Sequence, residues 1–135
     1  MEDNYNQPER RRFIRLNHIA HLNYKICKKE TILKLLTGYT SNISQAGLLC
    51  NIRDKVTRND VLWLHFDRDI LNICEELEKR SFIYQNGIIG KVVRIANKQD
   101  GSYNVGIKFI TREESIKPEI KFLLKDLREK EYGQL

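Results

Sequence analysis

From Ile14 to Ile26 the even positions read Ile14, Leu16, His18, Ala20, Leu22, Tyr24 and Ile26, while the odd positions are largely polar. A period of two marks a β-strand with one face on a core and the other in water. Further strand-like stretches follow at 31–39, 48–52, 61–66, 88–95 and 103–110. Asn86-Gly87 precedes the stretch at 88–95, and Asp100-Gly101 links it to the last one. Both pairs accept the positive φ angles of tight hairpins. Short strands separated by turns, without intervening helices, predict an antiparallel barrel or sandwich.

Two segments break this pattern. From Pro118 the apolar residues Ile120, Leu123, Leu124 and Leu127 fall at helical spacing, with Pro118 and Glu119 suited to a helix start and basic residues concentrated later. This predicts a C-terminal helix over about 118–132. In the middle, Ile70, Ile73, Cys74 and Leu77 are also spaced helically behind Asp69 as a cap. A short helical insertion around 69–80 and an irregular one are both compatible with that spacing. The stretch 68–84 is longer than a barrel hairpin needs, which suits a partner-binding insertion. Residues 1–9 are polar and read as a flexible arm, leaving residues 10–135 as one domain.

The composition, 41% hydrophobic and 31% charged, is that of a globular chain rather than a disordered one. A net charge of +6 favours anionic partners such as nucleotides, nucleic acid or acidic protein faces, although solubility alone accounts for similar charge in many domains. Cys27, Cys50 and Cys74 are odd in number and set among apolar residues, as reduced core thiols would be. With no signal-peptide layout at Met1-Glu2-Asp3-Asn4 and no apolar run of about 20 residues, the chain reads as cytoplasmic.

Two polar clusters carry chemistry. Arg10, Arg11, Arg12 and Arg15 put four guanidinium groups on one short segment. Each guanidinium is a planar fork matching two phosphate oxygens or the O6 and N7 acceptors of guanine, and it can stack on a purine. Arg11 and Arg15 are four apart and share a face in an extended segment. A solvated basic arm is the plainer account of such a run. Asn42 and Ser44, two apart, share a face if extended and offer donors and acceptors to a purine edge; Gly47 permits a sharp turn or close approach. A plain loop uses the same residue types.

Taken together and in this order, the clusters resemble the PilZ domain, a bacterial receptor for the second messenger cyclic di-GMP. Arg10, Arg11 and Arg15 match its Arg-Arg-x-x-x-Arg motif, and Asn42, Ser44 and Gly47 match its Asp-or-Asn-x-Ser-x-x-Gly motif. Gly90-Lys91-Val92-Val93 and Val105-Gly106-Ile107-Lys108-Phe109 resemble its late strands. The resemblance spans about residues 9–111 and implies a mainly β fold: a six-stranded antiparallel β-barrel with a C-terminal α-helix.

It also implies roles. Arg11 and Arg15, assisted by Arg10, would grip phosphates and guanine Hoogsteen edges, with Arg12 only solvated. Asn42 and Ser44 would meet the other guanine edge, and Gly47 would leave room for the ring. Asn42 replaces a charged acceptor with a neutral one, which weakens rather than removes that contact. The Arg10-Arg11 doublet resembles the family form that holds a stacked pair of nucleotides. With only a short arm before the first motif, the chain reads as a stand-alone receptor whose output passes to a downstream protein partner, through ordering of the arginine segment over the ligand.

Enzyme chemistry finds no support in the residues. His18 and His21, three apart on a strand, face opposite ways and make a poor metal pair; His18 reads as a core histidine. No phosphate loop or nucleophile elbow is present in the sequence. Trp63 lies in an apolar run and reads as core. No cofactor is implied besides the ligand. Two other readings stay open: a small basic barrel that binds RNA, and a PilZ-like scaffold that serves protein contacts alone.

Overall fold

The computed structural model describes residues 19–67 and 79–132. The arm at 1–9, the arginines Arg10, Arg11, Arg12 and Arg15, the strand positions 14–18 with His18, and most of the 69–80 insertion with Cys74 lie outside the described residues. Of that insertion only Lys79 and Arg80 are described, and both are helical.

Seven strands follow in chain order: β1 (Ala20–Ile26), β2 (Leu36–Ile43), β3 (Gly47–Ile52), β4 (Val61–His65), β5 (Ile83–Tyr84), β6 (Gly87–Asn97) and β7 (Tyr103–Phe109). A 3₁₀ turn at Glu114–Ile116 leads into helix α1 (Pro118–Tyr132). All pairings are antiparallel, in the order β4-β1-β2-β3-β7-β6-β5, and an additional β4–β6 pairing closes six of the strands into a barrel. Closure removes exposed edges, so each long strand has a hydrogen-bonded neighbour on both sides. The two-residue β5 adds a small hairpin on β6.

The period-two pattern is realised as expected in β1, where Leu22, Tyr24 and Ile26 are buried and the residues between them are not. These side chains fill the barrel together with Ile43, Leu48, Cys50, Leu62, Leu64, Ile88, Val92, Val105 and Ile107. Tyr24 is buried among them, and its hydroxyl donates to Asp54 Oδ2 at 2.8 Å, which satisfies the one polar atom it carries inward. Burial first, and the carboxylate second, push its phenol well above the usual range. Burial likewise pushes the Cys50 thiol up to about 12, leaving it a protonated apolar filler.

A second cluster lies outside the barrel. Cys27, Ile32, Val61, Ile89 and Ile110 present an apolar patch, and α1 covers it with Ile120, Leu124 and Leu127. Those three positions form one stripe of the helix, as their spacing predicts. The 3₁₀ turn that precedes α1 is held by a reciprocal pair: Thr111 N–H donates to Glu114 Oε1 at 2.9 Å, and Glu114 N–H donates to Thr111 Oγ1 at 3.1 Å.

Three expectations shift. The strand expected at 31–39 begins only at Leu36, because residues 29–33 turn so that Ile32 can join the cluster under α1. Thr31 stabilises that turn by donating its hydroxyl to Ile26 O at 2.9 Å. The hairpin before β6 turns on Gln85 and Asn86, at φ 49° and 64°, while Gly87 already opens the strand. Trp63 is half-buried on the barrel's outer surface instead of in its interior. Its indole N–H donates to Tyr84 O at 2.7 Å and its ring stacks on His65. Alternation decides this: Leu62 and Leu64 point inward, so Trp63 must point out.

Candidate functional site

The strands β2, β3, β7 and β6 are consecutive in the sheet, and their outward-facing residues form rows across it. One row reads Asn42, Leu49, Gly106, Arg94, each paired in register with the next. Three inter-strand steps span roughly 14 Å. The neighbouring row brings Gly47 opposite Lys108, with Ser44 N–H donating to Gly47 O at 2.9 Å. Together with Ala46 and Val93, these residues surround an open depression of about 310 Å³.

Simple alternation would not produce the first row. In β2, Leu36, Gly38 and Thr40 face inward, and strict continuation would turn Asn42 into the core as well. The register shifts between Thr40 and Asn42, leaving Ser41 as the extra residue of a β-bulge. Asn42 therefore faces outward and is half-buried, while Ile43 is fully buried. β6 repeats the device: the register shifts between Val92 and Arg94, with Val93 as the extra residue. Val93 and Arg94 are both exposed and Ile95 turns back toward the core. Each bulge keeps a polar side chain out of an apolar barrel, where an unpaired charge would be very costly, and aims it at one depression.

The floor is shaped by small residues. Gly106 is buried without a side chain, and a Cβ placed there would stand 3.5 Å from Arg94 Cβ and 3.8 Å from Arg94 Nε. The arginine stem thus crosses β7 over the glycine. At Gly47 the demand is different, since a Cβ would come within 2.2 Å of the Ile107 carbonyl oxygen. Close approach of β3 to β7 requires glycine at that position, whereas at Gly106 a Cβ would meet only ordinary contacts.

Ser44 shapes the loop that joins β2 to β3. Its hydroxyl donates to Gly47 O at 3.3 Å and accepts from Ala46 N–H at 3.2 Å. A hydroxyl has one proton and two lone pairs, so one acceptor position remains for a ligand. On the cationic side, Lys108 Nζ lies 3.9 Å from Glu114 Oε2. The Thr111 N–H, with further help from Lys108, holds the Glu114 carboxyl below its ordinary range. No carboxylate and no aromatic ring lines the depression among the described residues.

Of the residues singled out in the sequence, Asn42, Ser44 and Gly47 come together on this depression, and Arg10, Arg11 and Arg15 lie outside the described residues. Arg94, Lys108, Leu49 and Gly106 are also part of the lining. Sequence reasoning passes over Arg94. The one available signal is a charge interrupting the apolar stretch 88–95, and strict alternation would place that charge in the core. Among the described residues no group of three or more His, Cys, Asp or Glu side chains is arranged to hold a metal, and no helix is long and apolar enough to cross a membrane.

A closed six-stranded barrel with an exterior helix and an open polar depression on the far strands defines a small β-barrel module with a ligand-sized depression on its outer surface. The family model described as PilZ domain matches residues 9–124, and the chain belongs to the PilZ domain family. Among solved structures it is similar to the Bacillus subtilis inhibitor of motility (MotI/DgrA), at 14% identity and a TM-score of 0.51. That alignment covers 91% of this chain and 52% of the other, so the chain spans about half the length of that protein. It is also similar to the PilZ domain of YcgR from Escherichia coli, solved with c-di-GMP, at 8% identity and a TM-score of 0.49, covering 93% of this chain and 99% of that one. At such identities the likeness to the inhibitor of motility speaks for the fold. No curated protein sequence matches.

Proposed function

We propose that this protein is a cytoplasmic receptor for cyclic di-GMP, with residues 10–135 forming the binding domain and residues 1–9 an arm. The observation that carries the reading is the convergence of Asn42, Ser44 and Gly47 on one open depression, in a chain of a family known as receptors for this nucleotide. Asn42 would meet a guanine edge and the remaining acceptor of Ser44 would take a second donor from it. Arg10, Arg11 and Arg15 would close over the ligand from the N-terminal side, gripping phosphates through bidentate, charge-assisted bonds. Closure of that segment would hide the ligand's charge and present a new surface to a downstream protein partner. The absence of aromatic rings from the described lining disfavours a base-stacking RNA platform.

Thermal melting with cyclic di-GMP, GTP and RNA tests this reading. Cyclic di-GMP at a hundredfold over its Kd stabilises the wild type by roughly 2.7 kcal/mol, on the order of several degrees. The shift is lost or much reduced in Arg15→Ala and in Asn42→Ala. No shift with cyclic di-GMP overturns the reading, and a full shift in Arg15→Ala overturns the part given to the arginine segment. Hydrogen exchange around Arg10 to Arg15 slows on binding if that segment orders, and unchanged exchange rules the relay out.

A further inference from the structure

We propose that Arg94 forms a phosphate subsite on the β6 side of the depression, opposite Asn42 and separate from the N-terminal arginines. The inference rests on the receptor reading above and adds to it a residue that no motif contains. Several independent features of the structure converge on it.

The bulge at Val93 is what brings Arg94 outside, and it falls at the level of the Ser41 bulge that exposes Asn42: Asn42 pairs with Leu49, Leu49 with Gly106, and Gly106 with Arg94. Two local disruptions at one level of one barrel re-aim two polar residues at the same space, which is a recurrent use of bulges beside sites. Gly106 then leaves the groove in which the Arg94 stem lies, with Nε 3.8 Å from where a Cβ would be. A Cβ there would touch the stem at ordinary contact distance, and a longer side chain would occupy the place of the stem or of the ligand.

Charge makes the same case. Among the described residues Arg94 has no hydrogen-bond or ion-pair partner, so its five donors are available without displacing a carboxylate. Lys108 lies two residues beyond Gly106 and therefore on the same outward face, giving a second cation next to the same floor, with Glu114 Oε2 3.9 Å from its Nζ. With no carboxylate among the described lining residues, this end of the depression selects for an anion. The anionic parts of a cyclic dinucleotide are its two phosphates, and a guanidinium takes a phosphate through two parallel N–H donors. The expected arrangement holds a base against Asn42 and a phosphate against Arg94.

Titration calorimetry of the full chain with cyclic di-GMP, on wild type, Arg94→Ala, Arg94→Lys and Asn42→Ala, decides the matter. Unliganded melting temperatures should match within a degree or so for the Arg94 variants, since the side chain is exposed and unpartnered among the described residues. Arg94→Ala is expected to raise Kd tenfold or more. Arg94→Lys should recover part of that loss, because an ammonium still holds a phosphate as a point charge. A Kd within twofold of wild type in Arg94→Ala, with binding lost in Asn42→Ala, overturns the subsite and leaves the receptor reading intact. Arg94→Lys no better than Arg94→Ala overturns the assignment to phosphate. No heat with wild type overturns the receptor reading itself.

Discussion

Two parts of the same barrel exterior have been put to opposite uses. Over β4 and the first half of β6 the outward residues are apolar (Val61, Ile89), and α1 seals them with Ile120, Leu124 and Leu127. Over β2, β3, β7 and the second half of β6 the outward residues mix polar and small ones (Asn42, Gly106, Arg94, Lys108) with Leu49 and Val93, and no described element covers them. Strand β6 serves both, with Ile89 under the helix and Arg94 on the open side. The difference teaches how an outer barrel surface is assigned. Regular alternation with apolar outward residues produces a docking surface for a helix. A bulge with glycine beside it produces a recess and supplies its polar walls.

The comparison breaks most visibly at the helix. Leu127→Ala removes a fully buried side chain from the covered surface and is expected to cost about 2–4 kcal/mol, lowering the melting temperature by on the order of ten degrees. Cyclic di-GMP affinity measured well below the melt should stay within about twofold. A cost under about 1 kcal/mol would mean that the helix contributes little to holding this surface.

Next come the two glycines of the open side, which should respond differently to the same added methyl. Gly47→Ala forces a Cβ against the Ile107 carbonyl oxygen and is expected to cost roughly 1–3 kcal/mol by overpacking. Gly106→Ala meets only ordinary contacts at 3.5 Å and beyond, so stability stays within about 0.5 kcal/mol or rises slightly through the stiffer unfolded chain. Its effect falls on the ligand instead, with a several-fold loss of affinity. Denaturant melts paired with titrations check both, and equal destabilisation of the two variants would refute the distinction.

The smallest effect is in acid. Glu114 links the entry of α1 to Lys108 at the rim of the depression, and its carboxyl is held below the ordinary value of 4.5, chiefly by the Thr111 N–H. A depressed folded-state pKa contributes stability that is fully present above that ordinary value and is lost as pH falls through the folded one. The wild type should therefore lose melting temperature more steeply than Glu114→Gln below about pH 4.5. Parallel curves would show that this carboxylate does not couple to folding.

Much of this was legible in the chain. The alternation through Leu22, Tyr24 and Ile26 and the stripe Ile120, Leu124, Leu127 predict a strand and a helix because side-chain direction follows backbone period directly. The motif positions Asn42, Ser44 and Gly47 carry the resemblance to the family together with the arginine cluster and the late strands. What alternation could not supply was the side of the sheet on which Asn42 and Arg94 stand. A bulge adds one residue and leaves no composition mark at Ser41 or Val93, so strict counting places both side chains in the core. The outward position of Trp63 is hidden in the sequence for a related reason: an apolar residue in an apolar strand looks interior until something is known to cover the outside.

The sequence by itself determined the class of fold, the closing helix and the identity of the polar loop, because period, turn residues and motif spacing are local properties. Tertiary structure alone decided which outer surface is sealed and which is open, and that Arg94 faces Asn42 across Gly106. Those facts depend on register between strands distant in the chain, which is set by barrel closure and by the penalty for burying a charge.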